Sequence, residues 1–312
     1  MTSVWRRIQL RLSGTTPARR FQEEADVGVA AVLSCFRGLK LDPQNADKDP
    51  NELFDEAVGI VGKKKFEQQK EYVQNEISKQ VQKSFEAVLK MPRESEKTMP
   101  KMSLSGFERT TEVGDKLGIT DSFQKLFGFS LDVTESTVPE AGEGVKLRGS
   151  ASIGSLVALY PGVVYLPEHY KKDEYMKEIA NNPFARARFD SVIIDAKNES
   201  STPRNPLAVA HKINHPPEGT SPNVLAFGFE FPPEEPFTTE EFETLIPNRF
   251  VKEPSRLSMF GKRTIVHGLA FIATSNIEDD EELFLNYRYN PDRPLPKWYT
   301  SVDIESDRAM WK

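Results

Sequence analysis

Four short stretches in the C-terminal half hold residue types and spacings that chemistry can use. The first is Gly142-Glu143-Gly144-Val145. Two glycines one residue apart let the backbone take unusual dihedrals and approach a ligand closely. Position 147 is Leu and no helical pattern follows, so this is not a dinucleotide fingerprint. Taken alone, it is a hairpin turn. The second is Tyr160-Pro161-Gly162. Its phenol either points into a pocket or lies buried with its hydroxyl satisfied. The third is His211-Lys212-Ile213-Asn214-His215-Pro216, with Asn223 downstream. An Asn offers a donor and an acceptor together, which suits an amino-acid or adenine group. His211 and His215 are four apart and would share a helix face as metal ligands. Lys212, however, stands where a zinc-protease pattern needs Glu, and Asn214 and Pro216 end any helix, so no metal is assigned. The fourth is Glu278-Asp279-Asp280-Glu281-Glu282-Leu283-Phe284-Leu285-Asn286-Tyr287. Alone, it is a solvated acidic turn and a strand-end Tyr used in packing.

The elements that must position these residues are strands. From residue 128 onward, short apolar runs alternate with turn residues. Residues 145–147, 156–165, 191–195, 224–231 and 264–273 read as extended. Helices are expected at about 172–180 and at 240–246, the latter capped by Thr238 or Thr239. Before this part, residues 23–90 read as helical. The clearest helix is 64–90, where Phe66, Val73, Ile77, Val81, Phe85, Val88 and Leu89 recur at helical spacing. Asn51 is a candidate cap for a short helix carrying Leu53, Phe54 and Val58. Residues 91–120, with Pro92, Pro100, Gly106, Gly114 and Gly118, read as a linker leading to a short helix at about 121–127. The expected class is α+β, a β-rich domain over 128–292 behind a helical N-terminal region over 23–127, with an aromatic tail over 293–312.

The totals bound the function. Cys35 is the only cysteine, which excludes an intrachain disulfide and a multi-cysteine zinc site and points to an intracellular protein. No apolar run is long enough to span a bilayer, so no membrane partner is expected. The formal charge is −6, but residues 1–22 hold five arginines and no acid, leaving −11 on the rest. An acidic body argues against direct nucleic-acid binding, which needs a basic surface. It suits a cationic protein substrate. The leader places Trp5, Ile8 and Leu12 on one face and Arg7 and Arg11 on another. That is either a mitochondrial transit peptide or a basic disordered N-terminus. The compartment is therefore mitochondrial in the first case, nuclear or cytoplasmic in the second. No G-x-S-x-G elbow or P-loop occurs.

Taken in order, the four stretches resemble the core of the SET-domain protein methyltransferases. That family has a G-x-G turn, a strand ending in Y-x-G, an Asn-His segment with a downstream Asn, and G-E-E-L closing at a Tyr. Here these are Gly142-Glu143-Gly144, Tyr160-Pro161-Gly162, Ile213-Asn214-His215 with Asn223, and Glu281-Glu282-Leu283 with Tyr287. The chain departs from the pattern at Pro216 for Ser, Asp280 for Gly and Asn286 for Asp, and it lacks the flanking cysteine clusters of many relatives. The resemblance implies a β-clip fold in which the 212–216 and 281–287 segments cross like a pseudoknot. It implies S-adenosyl-L-methionine as cofactor, held by backbone at Gly142, Glu143, Gly144 and Val145 and by Asn214 and His215. Tyr287 would lie where cofactor and substrate meet, Tyr160 would line the channel, and Tyr289, Trp298 or Tyr299 would cover the cofactor. The implied activity is protein-lysine methylation, with a protein presenting a lysine as partner. The other reading is a SET-fold binding module that has lost catalysis.

Overall fold

A stripe of Val73, Ile77, Val81 and Phe85, four residues apart, makes one face of a helix apolar, and a helix so marked must bury that face. In a computed structural model, which describes residues 17–91, 114–170, 173–179, 182–252 and 265–311, these four are fully buried on helix α3, Phe66–Lys90. Helix α1, Pro17–Leu41, packs against it, and α2, Pro50–Gly62, packs against α1. Since α1 starts at Pro17, residues 17–22 belong to the helical region and not to the leader. Proline's fixed φ suits that first turn. The leader residues Trp5, Ile8, Leu12, Arg7 and Arg11 lie outside the described residues. The cap of α2 is Asp49, whose carboxylate accepts from the Asn51 amide at 2.7 Å, so Asn51 sits inside the first turn. Of the side chains expected on that helix, Leu53 is buried while Phe54 and Val58 are exposed.

Most of the linker, 92–113, is outside the described residues. The helix after it, α4, spans Gly114–Phe127 and begins seven residues before the expected start. Phe123 and Phe127 stack at 5.1 Å and lead into β1, Phe129–Glu135. β1 forms an antiparallel hairpin with β2, Glu143–Gly149. A second sheet has the order β3-β9-β7, formed by Leu156–Leu159, Val266–Ala273 and Val224–Phe231. A third has the order β5-β6-β4-β8, with β4 at Gly162–Tyr165, β5 at Ala185–Ala187, β6 at Ile193–Asp195 and β8 at Asn248–Phe250. Among the named strands of the described residues, only β4 and β8 pair in parallel. Helix α5 is Asp173–Ile179, α6 is Glu240–Glu243 capped by Thr239, and α7, Ile304–Met310, lies in the tail. The class is α+β, with small sheets and no barrel. No helix among the described residues is long and apolar enough to cross a membrane.

Helices and sheets share a main apolar core, and a second, smaller cluster gathers Tyr165, Tyr170, Met176, Ile179 and Ile193. Phe85 of α3 lies 5.5 Å from Phe242 and 6.4 Å from Phe231. Each fully buried Phe contributes about 2 kcal/mol, so these contacts hold α3 firmly on β7. A second tie is polar. Arg288 makes a two-pronged ion pair with Asp26 of α1, at 2.5 and 2.9 Å. Such a fork fixes orientation as well as position. The helical extension therefore grips the residue that follows Tyr287.

A candidate active site where two segments cross

The strip from Glu281 to Tyr287 has β2 on one side and the 213–224 segment on the other. Toward β2 the pairing is antiparallel: Leu147 N donates to Glu281 O at 3.0 Å and Leu283 N to Val145 O at 2.8 Å. On the other side it is parallel: Leu285 N donates to Asn214 O at 2.9 Å and Asn223 N to Phe284 O at 3.1 Å. Asn223 locks the register with its side chain, which donates to Glu282 O at 2.9 Å and accepts from Phe284 N at 2.7 Å. A single strip thus brings residues from three distant parts of the chain together.

The residues on either side of Asn214, Ile213 and His215, meet Tyr287 directly. The Tyr287 hydroxyl donates to Ile213 O at 2.8 Å, and its backbone N–H donates to His215 Nδ1 at 3.3 Å. His215 is buried, and its Nε2 lies 2.7 Å from Thr300 O. With Nδ1 accepting, Nε2 carries the proton. Burial lowers the His215 pKa, so the ring is neutral at pH 7. Asn214 Nδ2 donates to Ser136 Oγ and to Glu143 O, both at 3.0 Å, which ties it to the glycine turn. Burial raises the Tyr287 pKa. Tyr160 is buried, donates its hydroxyl to Phe184 O at 2.7 Å, and also has its pKa raised by burial. Both phenols are therefore neutral and protonated.

The glycine turn divides its labour. Gly142 has φ +74° with open space where a side chain would be. Gly144 leaves room for Glu282, whose Oε1 would lie 2.2 Å from an added Cβ. Val145 is buried in the core and its carbonyl is taken by Leu283. Glu143 pairs with Lys212 at 2.7 Å, and that hydrogen bond lowers its pKa. Asp280 holds φ +65°, the left-handed conformation that a glycine takes without cost.

One expectation needs correction. Glu282 is not a solvated turn residue: it is 4% exposed and accepts from Ser136 Oγ, Thr137 N and Thr137 Oγ1 at 2.6, 2.7 and 2.5 Å. A buried carboxylate needs such donors, and Ser136 and Thr137 carried no signal in sequence. His211 and His215, already set aside as a metal pair, do not lie on a common helix. A 3-10 turn covers only Ala210–Lys212 and Ile213 is extended, so the two rings share no helix face. Both His215 nitrogens are also engaged.

His211 is buried against Phe184, and burial lowers its pKa to about 4. The unfolded chain takes up its proton near pH 6.5 while the folded chain does not. The contribution of this residue is therefore complete above pH 6.5 and falls as pH drops toward 4, by roughly 3 kcal/mol in all. Urea titrations at pH 7 and pH 4.5 should show a smaller pH loss for His211→Leu than for the unaltered protein. Equal losses would remove His211 from the acid sensitivity.

The aromatic tail closes over the crossing. Tyr299 is buried and stacks on His215 at 4.3 Å and on Tyr289 at 4.7 Å, while Trp298 meets Tyr287 edge-on at 6.2 Å. The Tyr299 hydroxyl accepts from Tyr289 N at 3.0 Å. Arg186 of β5, which no sequence pattern marked, lies with its guanidinium carbon 4.1 Å from the Tyr287 ring centroid. Asn214, His215, Tyr287, Tyr160 and the glycine turn thus form one connected neighbourhood. No protein-family model matches the chain, and no curated protein matches it.

Proposed function

We propose that the chain is an S-adenosyl-L-methionine-dependent protein methyltransferase of the SET kind, acting on lysine side chains of a partner protein. The observation that carries the reading is the crossing itself, which seats Asn214 and His215 against Tyr287 through the Ile213 carbonyl and the His215 ring. The residues suit the cofactor. Gly142 leaves an open face, Asn214 Oδ1 accepts no hydrogen bond from the described residues, and the half-buried rings of Tyr287 and Tyr289 offer apolar surface. When bound, S-adenosyl-L-methionine supplies an electrophilic methyl group on a sulfonium.

The chain's own residues then have limited but definite work. Displacement at a methyl group needs an in-line, deprotonated amine and no acid for the leaving group. Tyr287 gives its proton to Ile213 O, so its oxygen lone pairs remain to accept from the amine and orient it. With a raised pKa it is not a general base. The lysine proton leaves to solvent as the amine enters a buried, aromatic-walled site, where its charged form is disfavoured.

Calorimetry tests this. S-adenosyl-L-methionine is expected to bind the full chain, and Asn214→Ala to weaken binding about tenfold, the worth of one or two hydrogen bonds. No binding at millimolar cofactor would sink the reading. A SET-fold binding module without catalysis is the second reading, and the guanidinium over Tyr287 favours it. Saturable cofactor binding with no transfer of labelled methyl to any protein of a cell lysate would select that alternative.

A further inference from the structure

We propose that Arg186 fills the cation seat of this site in the free protein, so that a lysine ammonium is admitted only when Arg186 withdraws. In naming lysine the proposal rests on the methyltransferase reading; the existence of the seat does not.

The seat is built from two phenols. The guanidinium lies over the Tyr287 ring, inside the range of about 6 Å where a cation is drawn to an aromatic face. Burial raises the pKa of both Tyr160 and Tyr287, and the nearby guanidinium charge of Arg186 offsets part of that rise. Each of those hydroxyls spends its proton on a carbonyl, Phe184 O and Ile213 O, so each keeps its oxygen lone pairs for a cation. An alkylammonium would seek the same ring face and the same lone pairs. Two positive charges cannot share one such seat without strong repulsion.

Arg186 is held differently from its neighbour. Arg188 is anchored by Asp190 at 2.7 Å and by the carbonyls of Phe229 and Gly268, both at 2.8 Å. Among the described residues no carboxylate pairs with Arg186, whose partners are aromatic. Its strand, β5, is three residues long and lies at a sheet edge, paired with β6 alone. A cavity of about 350 Å³ opens beside Arg186 toward α1 and β7, and its walls include Glu23, Asp26 and Asp190. A withdrawn guanidinium therefore has a space to enter, walled by three acids that already pair with Lys70, Arg288 and Arg188, and the loss of one edge strand's pairing leaves the central sheets intact.

The test uses n-butylammonium chloride as a stand-in for the lysine side chain, with sodium chloride at equal ionic strength as control. Thermal unfolding of the full chain is followed for the unaltered protein, Arg186→Ala and Arg186→Gln. The two variants should be stabilised by n-butylammonium with an apparent affinity about tenfold tighter than the unaltered protein shows. Equal responses, or no response in either variant, would overturn the proposal. Failure of both variants to fold would overturn it too, because Arg186 would then be a structural cation and not a displaceable one. S-adenosyl-L-methionine calorimetry on the same proteins separates the two ideas. A butylammonium difference without cofactor binding would keep the seat and sink methyl transfer, and cofactor binding without that difference would do the reverse.

Discussion

Tyr287→Phe is expected to lower methyl transfer by roughly a hundredfold, the usual cost of losing one aimed hydrogen-bonding group at a reacting centre. The fold should survive. The ring keeps its contacts with His215 at 5.5 Å and Trp298 at 6.2 Å, and only the bond to Ile213 O at 2.8 Å is lost. One neutral hydrogen bond contributes about 1 kcal/mol, a small part of a domain's stability. Cofactor affinity should change by only a few-fold, since the hydroxyl is committed to the Ile213 carbonyl and the substrate side. The measurement is transfer of labelled methyl to lysate proteins, with circular-dichroism melting and calorimetry as controls. Full activity with an intact fold would remove Tyr287 from the chemistry. A collapse in melting temperature would instead assign it a structural role.

The parts of this site legible in sequence were those set by backbone pattern. Apolar runs placed β2, β3, β4, β6, β7 and β9 because a strand's burial writes itself into consecutive residues. The long stripe on α3 was legible for the same reason. The short strands β5, Ala185-Arg186-Ala187, and β8, Asn248-Arg249-Phe250, hold no apolar run like the Ile193-Ile194 of equally short β6, and with β5 went Arg186. Glu282 was misread because an acidic turn looks solvated until its donors are known. Those donors, Ser136 and Thr137, lie about 145 residues away. The pairing of Arg288 with Asp26 spans 262 residues and likewise leaves no local trace. What joins distant side chains is tertiary, and neither composition nor periodicity encodes it.

The largest loss of stability is expected from Gly144→Ala. A Cβ there would lie 2.2 Å from Glu282 Oε1, 2.9 Å from its Cδ and 3.1 Å from Ser136 Cβ. The first clash involves the end of a side chain, which often moves at little cost. Here it cannot. The carboxylate is buried and held by Ser136, Thr137 and Asn214, and shifting it strands those donors away from water. Hydrogen bonds to a charged acceptor contribute about 1.5–3 kcal/mol each. Even partial loss of three should cost roughly 3 kcal/mol and loosen Asn214 with them. Gly142→Ala is the internal control. Its φ of +74° is strained for Ala, but no atom lies within 4 Å of the added Cβ, so about 1 kcal/mol is expected. Urea denaturation should thus rank Gly144→Ala well below Gly142→Ala. Pairing Gly144→Ala with Glu282→Asp, whose carboxylate is set back by one methylene, should recover part of the loss, a coupling that a double-mutant cycle measures. Strict additivity of the two changes would mean that Gly144 is required for some other reason than to seat Glu282.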